Sequence, residues 1–103
     1  MSCSRNDVVL LPIPFSDLTS RKVRPAIVVG RKGADLFLVP IASQLSNSDL
    51  ALREWRTAGL NVPCGIKAQI ATVEERPVVK TVGTLSAADR QTRDERLRSW
   101  LQL

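Results

Sequence analysis

The 103-residue chain has no histidine and no tyrosine, two cysteines, two tryptophans and two phenylalanines. Without histidine, neither a Ser/His/Asp triad nor a Cys/His pair can be assembled, so the common hydrolytic constellations are excluded. Cys3 and Cys64 are too few for a disulfide framework, and with no imidazole to join them they make a poor zinc site. The acidic residues show no metal-ligand spacing, and there is no G-x-G-x-x-G or G-x-x-x-x-G-K-[ST] loop, so no metal and no cofactor are expected. Long apolar runs are missing too. The stretch from Val8 to Phe15 is broken by Pro12 and Pro14 and reads as neither a signal sequence nor a membrane span, which points to a cytoplasmic protein.

Apolar residues make up 44% of the chain, and no repeat or low-complexity tract interrupts them, so residues 1–103 are expected to fold as one domain. A domain this small has a modest core, and dimerisation would bury more apolar area. The formal charge of +5 favours a polyanionic partner.

Apolar and β-branched runs bounded by breakers recur at Asp7 to Ile13, Ala26 to Gly30, Leu36 to Ile41, Gly65 to Thr72 and Pro77 to Leu85. So many short strands imply a mainly β barrel or sandwich. Ala26 to Val29 and Leu36 to Val39 are continuously apolar and are expected at the sheet centre, buried on both faces, and the connecting Gly30-Arg31-Lys32-Gly33-Ala34-Asp35 carries hairpin-turn chemistry. Ser16 to Val23 is polar and reads as an exposed loop, a candidate substrate lip. Asp49 to Ala58 reads as a strand followed by one helical turn ending at Gly59. Ser86 and Asp89 resemble a capping box at the start of a helix over Ala87 to Leu101. On that helix Leu97, Trp100 and Leu101 form a stripe for core packing, and Arg90, Arg93, Arg96 and Arg98 read as a solvated face.

RNA needs little from a catalyst, because its own 2′-hydroxyl can attack the adjacent phosphate. A guanidinium suits such a site. It forks onto phosphate oxygens and keeps its charge as negative charge builds in the transition state, although its high pKa makes it a poor base. Trp55 and Phe15 read more readily as core or dimer-interface residues than as base-stacking platforms, and Cys64 as a small buried residue.

The opening Asn6-Asp7-Val8-Val9-Leu10-Leu11-Pro12-Ile13-Pro14-Phe15-Ser16-Asp17, with Arg24-Pro25-Ala26-Ile27-Val28-Val29 after it, resembles the signature of the MazF/PemK toxin endoribonucleases. Val39-Pro40-Ile41-Ala42-Ser43, Gly59-Leu60-Asn61-Val62-Pro63-Cys64, Gln69-Ile70-Ala71-Thr72 and Val82-Gly83-Thr84-Leu85-Ser86 continue that resemblance in order along nearly the whole chain. It implies an SH3-like β-barrel of the CcdB/MazF type with a C-terminal α-helix. It also implies a homodimer with an RNA groove across its interface, metal-independent cleavage of single-stranded mRNA, and inhibition by a cognate antitoxin.

In one branch of the family an arginine and a threonine act together at the scissile phosphate. Arg24 matches the arginine, Ala42 stands at the threonine, and Ser43 offers the neighbouring hydroxyl. In another branch an arginine and an aspartate act, and here Ile66 and Ala68 occupy those places. The expected catalytic pair is therefore Arg24 and Ser43, with Asp17, Arg21, Lys22, Lys67 and Gln69 contacting RNA. The alternatives are a degenerate member that binds RNA or antitoxin without cutting and a CcdB-like gyrase-binding toxin. The latter is disfavoured by the ending Trp100-Leu101-Gln102-Leu103 in place of Trp-Gly-Ile.

Overall fold

A computed structural model describes residues 3–12 and 22–103. The elements are β1 (Asp7–Pro12), β2 (Val23–Lys32), β3 (Asp35–Ala42), β4 (Leu50–Ala51), β5 (Gly65–Ile66), β6 (Ala71–Glu74), β7 (Lys80–Thr84) and α1 (Ala87–Leu101). The strands pair antiparallel in the order β4-β5-β3-β2-β1-β7, with β6 also on β3. This is a mainly β, barrel-like sheet closed by a C-terminal helix.

The continuously apolar segments do lie at the centre. Val8, Ile27, Val39 and Ile41 face a core with Leu52, Ile66 and Leu85, against which Leu97 and Trp100 of α1 pack. Val9, Leu11, Ala26, Val28, Leu36 and Leu38 face a second core that includes Cys3. Side chains alternate across a strand, so strands buried on both faces must be apolar at every position. The β2–β3 hairpin turns at Gly33, whose φ of +60° suits a primed turn.

The stretch from Gly65 to Thr72 is two strands where the sequence suggests one. The first half of β3 pairs with β6 as far as Leu38↔Ala71, and its end pairs with β5 at Ile41↔Ile66. Residues 67–70 therefore face only Val39 and Pro40. Two residues are in excess, and Ala68, Gln69 and Ile70 bow out into solvent. The segment from 49 to 59 follows expectation: β4 leads to a turn closed by the Ala58 N–H on the Glu54 carbonyl at 3.3 Å, and Gly59 has φ +86°.

Helix α1 has the expected ends, and Ser86 caps it by accepting the Asp89 N–H at 3.2 Å. Asp89 turns elsewhere, and its buried carboxylate accepts the N–H groups of Arg53 and Glu54 at 3.0 and 2.9 Å. The four helix arginines are not a uniform solvated face. Arg93 is fully buried, its guanidinium bonded to Asn6 Oδ1 and Asp94 Oδ1. Arg90 donates to the Leu85 carbonyl at 2.8 Å, while Arg96 and Arg98 are exposed. Charge pattern alone hides such a residue, because a guanidinium tolerates burial when its fork finds acceptors, and one of the two here, Asn6, lies in the turn before β1, 87 residues away in sequence. Leu101 drops out of the apolar stripe at 51% exposure.

Candidate nucleic-acid interface

Antiparallel pairing brings the end of β1, the start of β2, the end of β3 and the start of β7 to one end of the sheet. The registers Pro12↔Val23, Leu11↔Arg24 and Leu10↔Pro25 join β1 to β2, and Leu10↔Lys80 joins β1 to β7. The β2–β3 ladder runs out at Ala26↔Pro40, and the same register carried two residues further sets Arg24 opposite Ala42. Arg24 is two residues from Ala26 and Ala42 four from Leu38, both of the second core, so by alternation they share a face of the sheet.

Arg24 is exposed and makes no ion pair or side-chain hydrogen bond with any described residue. The Asp7 carboxylate accepts the Ser4 N–H at 2.9 Å and lies 3.5 Å from Thr84 Oγ1. Ser43 is the first residue past β3. It is exposed, and with the strand ended its side chain is not bound to strict alternation. Lys67 lies on the opposite edge of β3, half-buried, with its N–H on the Pro40 carbonyl at 3.0 Å. Lys22, Arg24, Ser43 and Lys67 thus surround the open end of β3. Gln69 sits on the bowed 67–70 segment, exposed, and that segment is pinned by the Ala68 N–H on Asp49 Oδ2 at 2.7 Å. Asp17 and Arg21, and with them Phe15 and most of the Ser16 to Val23 loop, lie outside the described residues. Val23 itself opens β2.

Beside this end lies a groove of about 550 Å³. Its floor includes Leu10, Pro25 and Lys80, its far wall is Leu60, Asn61 and Val62, and Ser43 stands at its rim. Lys80 and Asn61 were not legible as site residues: Lys80 is one charge on a short strand, and Asn61 is hidden in a turn motif. The only signal was Asn61's place between Gly59 and Pro63, where a polar residue is held on an exposed turn.

Cys64 closes the groove from behind. It is buried, its Sγ donates to the Val62 carbonyl at 3.1 Å, and burial pushes its thiol pKa up, so it stays protonated and poorly nucleophilic. Trp55 is half-buried against the first core, with the Arg56 guanidinium 4.6 Å from its ring centroid, which supports a packing role. Exposed large apolar side chains also gather near this end, among them Val23, Leu45, Val62, Ile70 and Val79. Among the described residues no helix is long and apolar enough to cross a membrane.

The family model for PemK-like, MazF-like toxins of type II toxin–antitoxin systems matches residues 4–101. No curated protein matches the chain. Among solved structures, the Mycobacterium tuberculosis toxin MazF-mt6 is similar at a TM-score of 0.75 and 16% identity, over 94% of this chain and 97% of that one. An endoribonuclease in complex with its cognate antitoxin, from Mycobacterial species, is similar at 0.74 and 16%, over 98% and 94%. An endoribonuclease from Mycobacterial species gives 0.72 and 16%, over 100% and 94%. At such identity these structures speak to the fold.

Proposed function

The chain belongs to the PemK-like, MazF-like toxins of type II toxin–antitoxin systems, and from that membership we propose that it is a cytoplasmic, metal-independent endoribonuclease acting on single-stranded mRNA. The observation that carries this reading is Arg24, an exposed guanidinium unpaired among the described residues, at the open end of the sheet with Ser43 and Lys67 around it. In the reaction the substrate 2′-oxygen attacks the adjacent phosphorus and the bond to the 5′-oxygen breaks. The products are a 2′,3′-cyclic phosphate and a 5′-hydroxyl, the 2′-hydroxyl proton passing to solvent and another reaching the leaving oxygen. Arg24 binds the phosphate oxygens as they gain charge, and Ser43 donates a hydrogen bond beside it. Lys22, Lys67 and Gln69 contact the RNA, and the same role is assigned to Asp17 and Arg21.

Two copies share the groove, and the exposed valines, Leu45 and Ile70 near this end supply apolar surface for the pairing. The cognate antitoxin covers the same end. A second reading, a member that binds RNA without cutting it, is favoured by one observation: Ala42, where the resemblance expects a threonine, brings no hydroxyl.

Incubating the protein with a long mixed-sequence RNA in EDTA and sequencing the fragment ends tests the proposal. Discrete cuts that fall about a hundredfold or more in Arg24→Ala support an Arg24-centred ribonuclease. Salt-dependent binding that leaves the RNA intact overturns it in favour of the second reading.

A further inference from the structure

Resting on the RNA reading above, we infer that the groove beside Arg24 is a pocket for the nucleotide flanking the cleaved phosphate, with Lys80 holding a phosphate and Asn61 reading the base edge. The registers Leu10↔Pro25 and Leu10↔Lys80 place Pro25, Leu10 and Lys80 in one row across β2, β1 and β7. With strands about 4.8 Å apart, that row spans roughly 10 Å, the reach of a base and its phosphate. Leu10 and Pro25 offer an apolar floor for an unstacked base, and Lys80 closes the row with a cation.

The opposite wall is fixed by backbone packing. Gly59 lies so close to β7 that a Cβ there would fall 2.1 Å from the Val82 carbonyl oxygen, so the loop carrying Asn61 cannot drift away from the floor without losing that contact. Asn61 is exposed and its amide is unbonded among the described residues, leaving a donor and an acceptor to face a Watson–Crick edge.

Charge fits the same occupant. Among the described residues Lys80 is the only formally charged one lining the groove, and it makes no ion pair or side-chain hydrogen bond with another described residue. None of the described lining residues is a carboxylate that would repel phosphate. The volume of about 550 Å³ suits one nucleotide, and the groove is open to solvent at one side, as a passing strand requires. Pro25 directly follows Arg24, and their side chains leave opposite faces of β2. A backbone held by Arg24 therefore crosses the end of the sheet and drops its neighbouring base onto Pro25.

The test uses the whole protein, a fluorescent single-stranded RNA pool with randomised bases, and the variants Lys80→Met, Asn61→Ala and Asn61→Asp. Both positions are exposed, and unfolding midpoints matching wild type confirm intact folding. Lys80→Met is expected to weaken binding roughly tenfold near 0.1 M salt and to lower the salt slope by about one. The Asn61 variants are expected to change the base preferred at one position of the bound or cleaved pool. If wild type binds RNA while every variant keeps its affinity, slope and base preference, the nucleotide pocket is overturned, the groove is left to a peptide partner, and the RNA reading stands. If wild type binds no RNA, both fall.

Discussion

The Asp89 carboxylate accepts the backbone N–H of Arg53 at 3.0 Å, from inside the first turn of α1. Its second oxygen takes the Glu54 N–H at 2.9 Å, so one buried side chain fastens the helix to the turn leading into the groove wall. The sequence pairs Asp89 with Ser86 as a capping box, and half of that is realised. Ser86 caps the helix, and the carboxylate is spent on another segment.

Asp89→Ala leaves two partly buried N–H groups without their acceptor and is expected to lower stability by about 1–3 kcal/mol. Asp89→Asn keeps one acceptor oxygen and is expected to lose about half as much. Urea unfolding of the three proteins checks the order. A loss below 0.5 kcal/mol for Asp89→Ala, roughly that of a neutral surface change, would remove the fastening role.

Arg93 is buried with its charge shared by Asn6 and Asp94, and its Nη1 has no partner among the described residues. Burial pulls its pKa below the ordinary arginine value, which marks the charge as poorly solvated. Arg93→Ala, which also opens a cavity, is expected to cost about 3–4 kcal/mol. Arg93→Met fills the space without the charge and is expected to recover at least half of that. Arg93→Lys, one compact donor in place of a fork, should fall nearer to alanine. Denaturation midpoints rank the series, and methionine no better than alanine would refute it.

Glu75 accepts two bonds from Arg31, at 3.1 Å each, and the Cys3 N–H at 2.6 Å. The Arg31 hydrogen bonds first, and the Cys3 backbone second, hold its pKa down to about 2 from an ordinary 4.5. The folded state thus binds this proton less readily than the unfolded chain. The Glu75 contribution is complete above the ordinary value and disappears as pH falls toward 2. Glu75→Gln is expected to be less stable than wild type at neutral pH and to converge with it in acid, as measured by urea unfolding at stepped pH. A gap that stays constant down to pH 2 would show that ionisation is not its source.

The elements that sequence pattern locates well are those governed by local rules. Helix α1 begins at a Ser cap, and the central strands announce themselves because both faces are buried. The break of Gly65 to Thr72 depends on how much of β3 each half pairs with, a non-local matter. Arg93 depends on Asn6, and the groove depends on three strands and a loop meeting. Arg24 stands out as a candidate because its motif is contiguous, whereas Lys80 and Asn61 become neighbours of Leu10 and Pro25 only after folding.

Two glycines mark where the groove wall meets β7. A Cβ at Gly83 would lie 2.4 Å from the Ala58 carbonyl oxygen, and Gly59 combines its contact with Val82 with a φ of +86°. Gly59→Ala and Gly83→Ala are each expected to cost about 3 kcal/mol or more, because backbone must move on both sides. Gly33 also has positive φ, but nothing lies within 4 Å of its Cβ position. Gly33→Ala is therefore the control, at roughly 1 kcal/mol. Equal losses at all three positions would assign the cost to φ alone and not to the close approach.

The register that sets Arg24 opposite Ala42 makes the missing hydroxyl testable in a cycle. Ala42→Thr puts a hydroxyl on the Arg24 face of the sheet, where it would meet the phosphate that the proposed reaction gives to Arg24. Ser43 lies just beyond the end of β3. If Ser43 already serves, Ser43→Ala cuts cleavage roughly tenfold or more, and Ala42→Thr in the same chain restores it, so the two substitutions are strongly non-additive. If Ser43 is idle, Ser43→Ala changes nothing, and Ala42→Thr raises cleavage by the same factor whichever residue stands at 43. Initial rates on one defined RNA, each compared with its Arg24→Ala partner, decide between a relocated hydroxyl and an absent one.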